Sequence, residues 1–182
     1  MDSIIFYHIY CNLYIMRKYL ALFLTFMAIN MNGQIDLSQR LINNKYIDTL
    51  NLDDIISDYG RPSFVKDNSV VKDILGPELS YHKKGLRFHF KPNNDLWFFT
   101  IHLSRTWDKS CLEWFAIYTD LLQDVNADKN LNDIKNMFPD GELKEPTEKN
   151  NVYFYKVNGF NFKFEGVTKY LESISYFPKD FK

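Results

Sequence analysis

Cysteine is almost missing from this chain. Of 182 residues only Cys11 and Cys111 carry a thiol. Cys11 falls in an N-terminal stretch with the pattern of a leader, so one thiol remains for the folded part. One thiol cannot close an internal disulfide, and the fold must rest on its apolar core. An excess of either charge is missing too. The 22 basic and 23 acidic residues leave a net charge of −1, so nothing global draws the protein to nucleic acid or anionic lipid. The apolar run at residues 19–29 falls short of the roughly 20 residues a membrane-spanning helix needs. No Gly-rich phosphate loop, nucleophile elbow or HExxH helix is present, which removes the most direct nucleotide-binding, serine-hydrolase and zinc-protease readings.

What the N-terminus does hold is an export pattern. Arg17-Lys18 is a basic pair, residues 19–29 are apolar, and Asn30-Met31-Asn32-Gly33-Gln34 is a small, polar stretch where a peptidase can cut. Met16 directly precedes the basic pair and is a second candidate start. The ending resembles signal peptides of Bacteroidota. A longer anchor over residues 4–29 is the alternative, but His8, Asn12, Arg17 and Lys18 interrupt it. No Cys follows the apolar run, which argues against a lipid anchor. The expectation is an exported protein, periplasmic or secreted, with no stable membrane span after removal of the leader. Its mature start falls near Gln34 or Ile35.

The rest of the chain reads as one unit written twice. Leu52-Asp53-Asp54-Ile55 matches Leu131-Asn132-Asp133-Ile134. Gly85-Leu86-Arg87-Phe88-His89-Phe90 matches Gly159-Phe160-Asn161-Phe162-Lys163-Phe164. Leu96, Phe99 and Ile101 match Leu171, Ile174 and Tyr176. Matches in one order at near-constant spacing point to a duplicated supersecondary unit. The predicted organisation is a leader at residues 1–34, a first helix-plus-sheet repeat at 35–110 and a second at 111–182. The predicted fold is α+β: two tandem copies of a short helix plus antiparallel strands, with the helices packed on one face of the sheet.

Local signals support these elements. Asn51 caps a predicted helix over Leu52–Tyr59, with Gly60 and Pro62 ending it; Asn130 caps one over residues 131–138, ended by Pro139 and Gly141. Leu86, Phe88 and Phe90 alternate with Arg87, His89 and Lys91, and Pro92-Asn93-Asn94-Asp95 is a turn. Closing that turn sets Phe90 opposite Trp97, Phe88 opposite Phe99 and Leu86 opposite Ile101. In the second half Phe160, Phe162 and Phe164 share a face, and a bulge is expected near Leu171-Glu172, because clean alternation would send Glu172 into the core. A further strand is predicted at Val152–Val157, and one or two more within residues 114–125. Phe88, Phe99, Phe162 and Ile174 are predicted core.

A short helix, then Tyr59-Gly60-Arg61-Pro62, then an antiparallel hairpin resembles the small bacterial envelope domains of the SmpA/OmlA type. Tandem helix-plus-sheet units also resemble the β-lactamase-inhibitor-protein architecture. The resemblance covers about residues 40–178, and Phe138-Pro139-Asp140-Gly141 departs from its Gly-x-Pro element. What it implies is an architecture and binding of another protein; it carries over no functional residue.

Chemistry is sparse. His82, His89 and His102 lie near one hairpin, but its register separates His89 from His102 by about four residues, or about 13 Å, too far for one zinc ion. They read as polar residues of a solvated face, and no metal, cofactor or catalytic residue is assigned. Cys111 with a histidine would make a nucleophile and its base, yet no orienting Asn or Asp stands out; a small buried apolar side chain is the plainer reading. Asp124 to Asn130 lacks the Gly and Glu of a calcium loop. A surplus of aromatic side chains remains. Phe98, Arg87, His89, His102, Tyr153 and Tyr155 are placed on a free sheet face as partner-binding candidates. The expected function is a non-enzymatic, exported protein-binding module, an envelope accessory or an inhibitor- or immunity-like protein. The alternatives are a small exported hydrolase or thiol enzyme, and a hydrophobic-ligand carrier.

Overall fold

The computed structural model describes residues 34–67, 75–109, 111–118, 125–147 and 150–177. The chain divides into Met1–Asn32 and Gly33–Lys182, and all the described residues belong to the second unit. The leader reading lies outside the described residues, Gln34 excepted.

Among the described residues thirteen short strands run in order: β1 (Ile35–Asp36), β2 (Leu41–Ile42), β3 (Lys45–Tyr46), β4 (Phe64–Lys66), β5 (Glu78–Tyr81), β6 (Leu86–Phe90), β7 (Leu96–His102), β8 (Thr106–Asp108), β9 (Glu113–Phe115), β10 (Glu142–Lys144), β11 (Val152–Val157), β12 (Phe160–Glu165) and β13 (Leu171–Tyr176). Two helices among these residues, α1 (Leu52–Tyr59) and α2 (Leu131–Met137), precede β4 and β10. Eight strands make one antiparallel sheet in the order β10-β11-β12-β13-β7-β6-β5-β4. β13 and β7 meet at its centre, with Ile174 opposite Ile101 and Tyr176 opposite Phe99.

The fold is therefore mostly β, and this corrects the α+β expectation of two tandem helix-plus-sheet copies with a helical layer. The helices have 8 and 7 residues and bury only Ile55 and Tyr59, and Leu131 and Ile134. Two turns cannot cover eight strands. Much of the apolar cover comes instead from residues 35–50, where Ile35, Leu37, Ile42, Ile47 and Leu50 join the core. This segment is a small three-stranded sheet, β1-β2-β3, and a 3-10 turn at Ile47–Thr49. It is stitched to the large sheet where Leu96 N–H donates to Leu50 O at 2.8 Å.

The helix ends follow the local chemistry. The Asn51 side chain accepts from Asp54 N–H at 3.0 Å, and the Asp54 carboxylate accepts from Asn51 N–H at 3.2 Å. Asn130 and Asp133 repeat this reciprocal cap, which satisfies donors that a helix start leaves open. The strands follow period two: Leu86, Phe88 and Phe90 are buried while Arg87 and His89 are half-buried. Phe88, Phe99, Phe162 and Ile174 have no exposed surface.

Two bulges set the facing. Lys163 pairs with Ser173 and Phe164 with Leu171, so Glu172 is the extra residue and stays out of the core. In β6–β7, His89 pairs with Phe98 and Phe90 with Leu96. Trp97 is extra there, and the expected Phe90–Trp97 pairing is replaced. The bulge turns Leu96 inward, where it is 4% exposed.

Candidate functional site

The second face of the sheet carries the alternate residues. One row runs Lys156, Asn161, Ser175, Thr100, Arg87, Ser80 across β11, β12, β13, β7, β6 and β5. A neighbouring row runs Phe154, Lys163, Ser173, His102. Near the centre Thr100 and Ser175 share a hydrogen bond of 3.1 Å.

One end of this face is not free. The hairpin β8–β9 folds over it and inserts Phe115, which has no exposed surface. Its ring lies 4.5 Å from the His82 ring and 4.2 Å from the His102 ring, and the Arg87 guanidinium sits 4.8 Å from it. The chain continues along the sheet: Ala116 N–H donates to His82 O at 2.7 Å and Tyr118 N–H to His102 O at 2.8 Å. Close approach explains Gly85. A Cβ there would lie 2.6 Å from Ala116 O, and its φ is +65°.

Beneath the hairpin sits a polar cluster. His82 Nε2 lies 3.2 Å from Asp108 Oδ2 and 3.2 Å from Cys111 Sγ. His82 Nδ1 is 3.2 Å from Glu113 Oε2. Arg87 pairs with Asp108 and, at 3.2 Å, with Glu78. His89 Nδ1 is 3.5 Å from the other Glu78 oxygen. His82, Asp108 and Glu78 are buried, while Cys111, in the hairpin turn, is half-buried.

The environment sets the charges. Burial raises the Glu78 carboxyl, outweighing the Arg87 charge, which lowers it. Burial, then Arg87, pushes His89 down to about 3 and His102 down to about 4. Burial and then Asp108 raise the Cys111 thiol, the wrong direction for a thiolate nucleophile. Asp108 is not placed as a triad orienter, because it shares Nε2 with Cys111; the carboxylate on the opposite nitrogen, Nδ1, is that of Glu113.

The six sequence candidates separate. Phe98 is on the second face, half-buried, with its ring 3.9 Å from His89 and 5.3 Å from Phe177. Arg87 and His89 are there too, tied into the cluster. His102 is 7% exposed, beneath the hairpin rather than open. Tyr153 and Tyr155 are on the core face, corrected by register: they pair with Phe164 and Phe162. The buried Tyr155 hydroxyl donates to Phe138 O at 2.5 Å and accepts from Gly141 N–H at 3.0 Å.

Sequence reasoning misses Asp108, Glu113 and Glu78. A signal is present: Thr106-Trp107-Asp108 and Glu113-Trp114-Phe115 flank a four-residue turn, a hairpin pattern. The strand expected within residues 114–125 exists only in part, since β9 pairs with β8 and not with the large sheet; residues 119–124 lie outside the described residues.

Two clefts among the described residues lie away from this cluster. One of about 610 Å³ is bounded by Lys156, Asn161 and Phe177. Another, of about 590 Å³, lies between Ile56, Pro62, Val65 and Leu79. Neither is lined by His82, Asp108 or Cys111. No helix among the described residues is long and apolar enough to cross a membrane.

No protein-family model matches the chain, and no curated protein is significantly similar to it. Among solved structures, it is similar to an extracellular protein containing an SCP domain from Bacillus anthracis str. Ames. The TM-score is 0.46 and the identity 10%, over 76% of this chain and 48% of that one. The chain thus spans about half the length of that protein.

Proposed function

We propose that this is an exported protein that acts by binding another protein across the part of the second sheet face that the β8–β9 hairpin leaves open. The observation that carries the reading is the make-up of that part. Phe98, Phe154, Thr100, Ser173 and Ser175 are half-buried there, with Asn161 and Lys163 among them. Aromatic anchors among hydroxyl and amide groups suit a protein interface, where a small ligand would call for polar groups converging in a cavity. Export is supported by Arg17-Lys18 and the short apolar run behind it.

The test is photo-crosslinking in the native cell. A crosslinking residue at Thr100 or Lys163 is expected to give one discrete protein adduct, and Phe98→Ala in the same chain to reduce it. The same residue at Val65, which is 53% exposed and off this face, should give none. Absence of adducts from Thr100 and Lys163, or equal adducts from Val65, removes the reading.

A thiol enzyme is the second reading, and the contact between Cys111 and His82 favours it. The raised thiol weighs against it, while Glu113, 3.2 Å from His82 Nδ1, gives the ring an orienting carboxylate. Thiol-directed alkylation decides: modification of Cys111 at neutral pH far faster than that of a free cysteine would restore it.

A further inference from the structure

We infer that His82 Nε2, Asp108 Oδ2 and Cys111 Sγ form a binding site for one zinc ion, with a fourth coordination position left open. These three donor atoms lie within 4.8 Å of one another. Zinc takes imidazole nitrogen and carboxylate oxygen at about 2.0–2.2 Å and thiolate at about 2.3 Å, so tetrahedral ligands sit roughly 3.4–3.6 Å apart. The nitrogen is 3.2 Å from both the oxygen and the sulfur. Lengthening those two separations by a few tenths of an ångström brings them to the values zinc takes.

Two further features fit. Metal-bound histidines commonly present their other ring nitrogen to a carboxylate, which fixes the ring; Glu113 Oε2 is 3.2 Å from His82 Nδ1. The carboxylates around the site, three against two cations, also suit a cation. Asp108 and Glu78 are buried and Glu113 stands beside them, against Arg87, which pairs with Glu78 and with Asp108 Oδ2 itself, and Lys66, whose charge reaches Glu78.

The donors select the metal. Calcium and magnesium take oxygen ligands, whereas a thiolate with an imidazole suits zinc. The site is also anchored. The His82 carbonyl accepts from Gly85 N–H and Ala116 N–H, and its own N–H donates to Ser63 Oγ at 3.2 Å. Asp108 ends one hairpin strand, and Cys111 occupies the turn beyond it. Binding would therefore pin the hairpin to the sheet.

Cobalt(II) serves as the spectroscopic probe of the metal-stripped full chain. The expected result is one equivalent bound, with visible bands of tetrahedral intensity and a near-ultraviolet thiolate-to-cobalt band, both displaced by zinc. Cys11 is the second thiol in the chain, so Cys11→Ser should retain the thiolate band and Cys111→Ser should lose it. Cys111 is in a turn and half-buried, so its serine variant is expected to fold, as circular dichroism would verify. Misfolding is covered by alkylation, because zinc should protect Cys111 from iodoacetamide in the unsubstituted chain. No tetrahedral spectrum, a thiolate band that survives Cys111→Ser, or unprotected Cys111 would each overturn the site.

Discussion

The Tyr176 hydroxyl donates to Asp48 Oδ1 at 2.5 Å, joining the last strand of the large sheet to the N-terminal 3-10 turn 128 residues away. Arg40 pairs with both groups. Burial, with the Asp48 hydrogen bond, pushes the Tyr176 phenol up to about 12. Tyr176 has no exposed surface, and its ring also stacks 5.7 Å from Phe99 and lies tilted 4.9 Å from Phe160.

Tyr176→Phe keeps those ring contacts and removes the hydroxyl. Hydrogen bonds to charged groups contribute about 1.5–3 kcal/mol, and Asp48, whose side chain is 48% exposed, recovers part of its loss from water. A drop of about 1–2 kcal/mol in urea unfolding is expected. An unchanged midpoint would show that residues 35–50 are not held to the sheet through this bond.

The strand facing makes a second prediction. Phe88→Ala or Phe162→Ala should cost about 3–5 kcal/mol, since each empties a fully buried site. Lys163→Ala, on the opposite face, loses its pair with Glu172 at 2.6 Å. That pair is solvent-accessible and is worth about 0–1 kcal/mol. Chemical denaturation of the three variants checks the order. Comparable losses at Lys163 and Phe162 would mean that both faces are packed.

These residues also mark what can be read from sequence. The caps at Asn51 and Asn130, the alternation of Leu86–Phe90 and the bulge at Glu172 are local signals, and each is legible. Val152–Val157 reads as a strand, but Tyr153, Phe154 and Tyr155 are successive aromatics, so the pattern offers no polar face; pairing with β12 decides it. Residues 35–50 escape because two-residue strands show no period. The contact between Cys111 and His82 escapes for another reason. It spans 29 residues and exists because a hairpin folds back on the sheet, which no repeat spacing reports.

The last prediction concerns acid. His102 is 7% exposed and beside the Phe115 ring, and its Nε2 finds no hydrogen-bond partner among the described residues. Burial, then Arg87, with smaller contributions from His82 and Lys163 and against the opposing Asp108, lowers it to about 4. An unfolded histidine titrates near 6.5. Below that pH the unfolded chain takes up a proton that the folded chain refuses, so stability falls as pH drops from about 6.5 toward 4 and is unaffected above. The full effect is roughly 3 kcal/mol by pH 4. His89, lowered in the same direction, and the carboxylates titrate in any variant, so the difference between the unsubstituted protein and His102→Gln isolates this group. Urea unfolding in chelator between pH 4 and 8 should show the unsubstituted protein losing stability faster than the variant below pH 6.5, with parallel curves above it. Parallel curves throughout would mean that water reaches His102 and that the β8–β9 hairpin does not seal this end of the sheet.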